Sequence, residues 1–258
     1  MLILLPPSEG KFAPQSGPRL SLPSLAWPGL RSARREILSA LVECCASSPA
    51  RARSALGITA KQDALIEANA KLRSAPTAAA IEVYSGVLYE ALNFSSLPAA
   101  ARARGNQRIA IASALWGLVR PDDQIPAYRF SADSGIPGLP PLPQIWAESV
   151  GAVICAESGL IVDLRSGAYE KLAPIPSACA PRAVSIRVLQ DRNGTLSVVS
   201  HHNKATKGRI TAGLLRVAKE PTSIPSLVTD LRNLGYRVQE GRPTRNGVST
   251  LDIIVNNV

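Results

Sequence analysis

Histidine and cysteine are scarce in this sequence. The two histidines, His201 and His202, are neighbours, and the four cysteines (Cys44, Cys45, Cys155, Cys179) form no CxxC pair and lie far from them. Zinc and iron centres need several such ligands at short, recurring spacings, so no metal site and no cofactor is expected. A chain of 258 residues builds its core without disulfide staples, and four unclustered cysteines then read as reduced, buried thiols in a cytoplasmic protein. Aromatic residues make up 4%. That is too few to favour stacking successive bases of a single strand. No apolar run approaches the roughly 18 residues that a membrane-spanning helix needs. The opening "MLILLPPSEGK" has no basic leader and too short an apolar stretch for a signal peptide, so no membrane partner is expected. No internal period appears, which argues against a repeat architecture.

Positive charge, by contrast, is plentiful. Lysine and arginine number 29 against 19 acids, a net of +10. The excess is local: Arg182 to Arg245 holds twelve Lys/Arg against four acids, Asp191, Glu220, Asp230 and Glu240. Such a segment reads either as a surface for an anionic partner or as arginine scattered over solvated faces.

Hydrophobic patterning predicts interleaved helices and strands. Leu2–Leu5 is a short buried strand that stops at Pro6-Pro7. Ala33, Ile37, Leu38, Leu41, Val42 and Cys45 fall at helical spacing, with Arg34, Arg35 and Glu43 on the rest of the wheel. Residues 50–73 read as helix, break, helix: the break is Gly57-Ile58, and Thr59 is placed to cap a second helix with Asp63 in its first turn. Further helices are predicted over 81–92, 144–156, 206–219 and 226–234. Strands are predicted over 108–113, 160–165, 236–240 and 251–257, with a hairpin over 183–200 turning at Asn193-Gly194. The elements do not repeat as regular βαβ units. The expected fold is a single mixed α/β (α+β) domain over 1–258, a mostly β core with surrounding helices.

Four polar stretches follow predicted strands or open helices. They are Ser8 to Lys11, Arg120 to Arg129, "DLRSGAYEK" from Asp163, and "HHNKATKGR" from His201 to Arg209. Ligands gather where the strands of open α/β sheets end, and helix N-termini attract anions, so convergence of these stretches on one cleft is the expectation. Candidate anion contacts are Lys11, Arg120, Tyr128, Arg129, Arg165, Lys204, Lys207 and Arg209. Each stretch also has a plain reading. Gly10-Lys11 lacks the P-loop spacing. Arg120 and Arg129 match Asp122 and Asp123 as salt-bridge partners. Tyr169 and Arg165 suit half-buried packing. In the helix pair, Gly57, Thr59 and Lys61 suit a hairpin that holds a DNA phosphate without reading bases, although paired helices are common packing units. Two functions stay open: phosphate-directed binding of double-stranded DNA, and an enzyme acting on a nucleotide or other phosphorylated small molecule. In the second, Asp163, Lys204 and Tyr128 would serve proton transfer.

"LILLPPSEGK", "VYSGVLYEAL", "SALWGLVRPDDQIPAYRF", "IVDLRSGAYEKL" and "VVSHHNKATKGRITAGLL", in that order, resemble the YaaA family of peroxide-stress proteins over nearly the entire chain. The resemblance implies a bacterial cytoplasmic protein that binds DNA, limits oxidative DNA damage and is linked to lower free iron. It also implies a distinctive mixed α/β fold with a positively charged cleft and a helix-hairpin-helix. By matching segment it points to Gly86, Tyr89, Gly117, Arg120, Pro121, Asp123, Tyr128, Arg129, Lys204, Lys207 and Gly208.

Overall fold

The computed structural model describes residues 1–192, 195–197 and 200–255. The chain opens with β1 (Leu2–Leu5), followed by α1 (Arg31–Ser47), α2 (Pro49–Leu56) and α3 (Asp63–Ala70). Next come β2 (Ala78–Ala79), α4 (Ala80–Val83), α5 (Val87–Leu92), α6 (Ala99–Arg108), β3 (Ile109–Ser113), β4 (Gly117–Val119) and β5 (Gln124–Ile125). Then follow α7 (Leu142–Ala156), β6 (Ile161–Asp163), α8 (Gly167–Leu172), β7 (Ala183–Arg192) and β8 (Thr195–Ser197). The last elements are α9 (Ser200–Arg216), α10 (Ile224–Asn233), β9 (Arg237–Gly241) and β10 (Ser249–Val255).

The expected mixed α/β architecture is present. One eight-stranded sheet has the order β4-β3-β1-β6-β7-β10-β9, with β8 paired to β7. Its centre is parallel: β1 pairs with β3 and β6, and β7 with β6 and β10. Strands β1, β3 and β6 are buried along their whole length, as parallel strands covered by helices on both faces must be. The short β2 and β5 form a separate antiparallel pair. Among the described residues no helix is long and apolar enough to cross a membrane.

Several expectations change on contact with the structure. The helix expected over 81–92 is two short helices, because Tyr84 is extended and Gly86 adopts a φ of 89°. Thr59 precedes a 3-10 turn rather than α3 itself, and α3 begins at Asp63. Helix α9 begins at Ser200, so Lys204 lies inside it rather than ahead of it. The Asn193-Gly194 turn lies outside the described residues, although β7 and β8 pair antiparallel on either side of it. Cys44 and Cys45 are free, but Cys155 and Cys179 are joined in a disulfide, contrary to the expected four reduced thiols. Their separation of 24 residues concealed a Cα distance of 5.5 Å, which only the packing of α7 beside residues 177–182 creates.

Arg34 departs furthest from its expected place. Instead of facing solvent it is fully buried, donating from Nε to the Trp116 carbonyl at 2.9 Å and from Nη2 to the Leu118 carbonyl at 2.7 Å. Burial lowers its pKa to about 10, opposed by the nearby Asp123 carboxylate. The guanidinium thus braces the β3–β4 turn against α1. Arg34→Ala leaves two buried carbonyls without donors and a cavity in place of the side chain. It is expected to cost about 3 kcal/mol, read as a lower urea midpoint at unchanged slope.

Candidate functional site: a lysine among tyrosines at the strand ends

The parallel strands β1, β3 and β6 end on one edge of the sheet, and the chain brings its tyrosines there. Pro6, just past β1, accepts the Tyr89 hydroxyl at 2.8 Å. Ser113, the last residue of β3, bonds the Tyr128 hydroxyl at 2.7 Å, and Tyr128 bonds the Tyr84 hydroxyl at 2.8 Å. Ser113 Oγ also accepts the N–H groups of Leu115 and Trp116, so its own hydrogen is left for Tyr128. Polarity therefore runs from Ser113 through Tyr128 to Tyr84. The rings pack as well as bond: Tyr84 stacks on Tyr89 with centroids 5.5 Å apart, and Tyr128 meets Tyr84 and Trp116 edge-on. Burial pushes the phenols of Tyr84, Tyr89, Tyr128 and Tyr169 above their ordinary range, so all four stay protonated donors.

Lys11 lies within this aromatic wall. Its backbone bridges to Tyr84, and Phe12 N–H donates to the Val83 carbonyl at 2.8 Å. Its Nζ stands 4.4 Å from the Tyr128 ring centroid and 5.6 Å from that of Tyr84, donating to the Ser8 carbonyl at 2.8 Å. Burial, and then the neighbouring Arg129 guanidinium, lower its pKa to about 7. Ser8 holds the loop in place by accepting Ser85 N–H at 2.9 Å.

Arg129 is fixed from behind by α3. The side chain of the fully buried Asn69 donates to the Arg129 carbonyl at 2.7 Å and accepts its N–H at 2.9 Å. Its Nη1 reaches the exposed Glu9 carboxylate at 3.1 Å, while its buried Nε finds no acceptor among the described residues. A buried, unpaired N–H of a guanidinium is a donor awaiting an acceptor.

On the β6 side, Arg165 grips Asp163 with Nε at 2.9 Å and Nη2 at 2.7 Å, and its Nη1 donates to the Ala173 carbonyl at 2.8 Å. Lys207 donates to the Arg165 carbonyl at 2.9 Å. Burial lowers the Lys207 pKa against the pull of Asp163 and Glu170, and burial together with Asp163 raises that of Glu170. Lys207 reaches this point because Gly208 lets α9 touch α5: a Cβ there would stand 2.2 Å from the Leu88 carbonyl.

The structure thus gathers Lys11, Tyr128 and Arg129 in one place, with Asp163, Arg165 and Lys207 beside them at the end of β6. It does not bring Arg120 to them. Strand β4 runs back along β3, and Arg120 bonds the Ile109 carbonyl at the start of β3, about 13 Å along the strand from Ser113. Its partners are Glu157 at 2.6 Å and the Trp27 ring at 4.3 Å. The proposed pairing of the two arginines with Asp122 and Asp123 is also corrected. The Asp123 carboxylate accepts the backbone N–H groups of Ala26 and Arg120 instead, and Arg129 pairs with Glu9. Asp163 and Arg165 occupy each other's polar atoms. Lys204 and Arg209 are exposed on α9, without an ion pair among the described residues. Gly57, with φ 61°, Thr59 and Lys61 are exposed on the α2–α3 hairpin, which Ile58 anchors by burial.

Two cavities flank the cluster. The larger, of about 540 Å3, shares Tyr84 and Tyr89 with it, but Glu82, Glu90 and Asp122 against Arg102 make its lining unsuited to an anion. The smaller, of about 210 Å3, is lined by Asp163, Arg165, Glu170, Lys171, Ser185 and Arg245. No group of three or more His, Cys, Asp or Glu side chains among the described residues is arranged to hold a metal ion. Sequence reasoning missed Tyr84, Ser113, Asn69 and Glu170. The scarcity of tyrosine was a usable signal, since four of the five in the chain meet here.

Fold and site define an α/β protein with a polar cluster at the carboxyl ends of its central parallel strands. Residues 1–242 match the family described as Peroxide stress protein YaaA, and the chain belongs to that family. Among its relatives is a UPF0246 protein of Streptomyces coelicolor, 42% identical with the whole of both chains covered. A UPF0246 protein of Corynebacterium efficiens is 42% identical over 94% of this chain and 97% of its own. One of Corynebacterium glutamicum is 36% identical over 99% and 100%.

The buried lysine has a signature in stability. Below about pH 7 both folded and unfolded chains carry the Lys11 ammonium, and the folded state bears the full cost of burying it. Between about 7 and the ordinary value of 10.5 the folded amine is neutral while the unfolded one stays protonated, so stability rises with pH. Lys11→Met is expected to stabilise the protein by about 3 kcal/mol near pH 6, with the gap closing by about pH 10, in urea titrations across that range.

Proposed function

We propose that this member of the peroxide-stress family acts by binding the phosphate backbone of double-stranded DNA, and so limits oxidative damage to it. The observation that carries the reading is Arg129: a guanidinium whose buried Nε has no acceptor among the described residues, tied through Asn69 to the helix that follows the exposed hairpin. Lys61 lies on the 3-10 turn that leads into α3, and Asn69 lies near the far end of that helix. Gly57, Thr59 and Lys61 present exposed backbone and charge at one end of this frame, and Arg129 an anion donor at the other. Lys204 and Arg209 add exposed cations on α9. Contacts of this kind position a duplex without reading its bases.

Fluorescence anisotropy with short duplexes tests this directly. Affinity should fall with salt at a log–log slope of about −0.9 per phosphate contact, with little sequence preference. Lys61→Glu and Arg129→Ala should each weaken binding and flatten that slope by about one unit. A titration indifferent to salt, or variants that bind as the parent does, would count against it.

A second reading, an enzyme acting on a nucleotide or other phosphorylated small molecule, is favoured by Lys11. An amine close to neutrality at physiological pH, beside a free guanidinium N–H and three tyrosine hydroxyls, is suited to proton transfer next to a held phosphate. Tyr128 belongs to that set, whereas Asp163 is occupied by Arg165. On this reading, calorimetric titration with nucleoside mono-, di- and triphosphates should show binding that Lys11→Met and Arg129→Ala abolish and Lys61→Glu leaves intact. Absence of heat with all three would remove it.

A further inference from the structure

The disulfide lies across the base of the segment that carries the β6 side of the site. Cys155 closes α7 and is partly exposed, while Cys179 is buried in the 3-10 turn before β7. The Cα separation of 5.5 Å is ordinary for a bridged pair. Between them run β6, the Asp163–Arg165 fork and α8 with Glu170, ending in Pro174 and Ile175, which wall the smaller cavity. Within it β6 is fixed between β1 and β7, and Lys207 holds the Arg165 carbonyl, so the bridge bears chiefly on the stretch from α8 to residue 178. Asn246 donates to the Ile175 carbonyl at 3.2 Å, and Pro176 rests against the bare Cα of Gly151.

The four cysteines are not equivalent. Burial raises the thiol pKa of Cys44, and that of Cys45 to about 11, which leaves both protonated and inert towards electrophiles. Cys155 is the partly exposed member of the bridged pair, and Arg182 Nη2 donates to its carbonyl at 2.8 Å, fixing the end of α7.

We propose that Cys155 and Cys179 form a hydroperoxide-reactive dithiol, and that its oxidation clamps the stretch from α8, with Glu170, to residue 178. The proposal rests on membership of a peroxide-stress family and does not depend on DNA binding. In the first step the Cys155 thiolate attacks one peroxide oxygen and the O–O bond breaks. The departing oxygen takes a proton and leaves as water or an alcohol, and Cys155 becomes a sulfenic acid. In the second, the Cys179 thiolate attacks the Cys155 sulfur and the S–O bond breaks, with hydroxide leaving as water after gaining a proton. Two electrons pass from the two thiols to the peroxide, and a dithiol reductant reverses the change.

The test uses the full chain, reduced and freed of reductant, then exposed to hydrogen peroxide. Two of the four titratable thiols should disappear, with the intact mass falling by two hydrogens and peptide mapping placing the bridge at Cys155–Cys179. Cys179→Ser should stop at a sulfenic acid on Cys155, trapped by dimedone. Hydrogen exchange over 167–175 should be about tenfold slower in the oxidised form than in the reduced form. Persistence of four free thiols, a bridge or overoxidation at Cys44 or Cys45 instead, or identical exchange in the two forms would overturn the proposal. If Cys179→Ser fails to fold, thiol mapping and exchange on the parent chain decide the question alone.

Discussion

Parallel pairing of β1 with β3 on one side and β6 on the other is the constraint from which the site follows. Register places Leu5 opposite Ile111 and Leu4 opposite Asp163, so three strands end within a residue or two of one another along one edge. Each then releases a different chemistry there: the Pro6-to-Lys11 loop, the Ser113 hydroxyl and the Asp163–Arg165 fork. Because both faces of these strands are covered, groups emerging at their ends stay partly out of water. For Lys11 and the tyrosines around it, burial is the largest influence on protonation.

Buried cations recur in this molecule, and each is reconciled with burial differently. Arg34 gives its protons to carbonyls of the β3–β4 turn. Arg165 is neutralised by a bidentate carboxylate, a geometry that leaves it rigid and unavailable. Lys11 has no acid in direct contact; it rests on two aromatic faces and a carbonyl and gives up part of its charge. Arg129 pairs with Glu9 and leaves its Nε without an acceptor among the described residues. Arg165 is satisfied from within and fully buried Arg34 is spent on two carbonyls, with its Nη1 unmatched among the described residues, whereas the less deeply buried Lys11 and Arg129 retain capacity for something outside the chain.

Much of the architecture was legible from pattern. Strands β1, β3 and β6, helices α1 and α7 and the α2–α3 hairpin all fall close to their predicted places, because short apolar runs and helical periodicity report burial directly. Lys11, Tyr128 and Arg129 were likewise named from the polar stretches after strands. What was misjudged shares one cause. Arg34 was assigned to solvent by helical phase, Arg120 to the cleft by nearness to Arg129, and Cys155 and Cys179 to separate thiols by spacing. In each case a partner remote in sequence decided the outcome: Trp116 for Arg34, Glu157 for Arg120, and the packing of α7 for the cysteines.

By itself the sequence determined the class of fold, the family through its ordered motifs, and the local basic excess, since all three depend on residue type and short-range order. Which cations meet, which are neutralised from within and which remain open was decided only by the tertiary structure. The reason is physical: charge and hydrogen-bonding capacity belong to residues, but desolvation and partnership belong to positions in space, and strand pairing assigns those positions between segments a hundred residues apart.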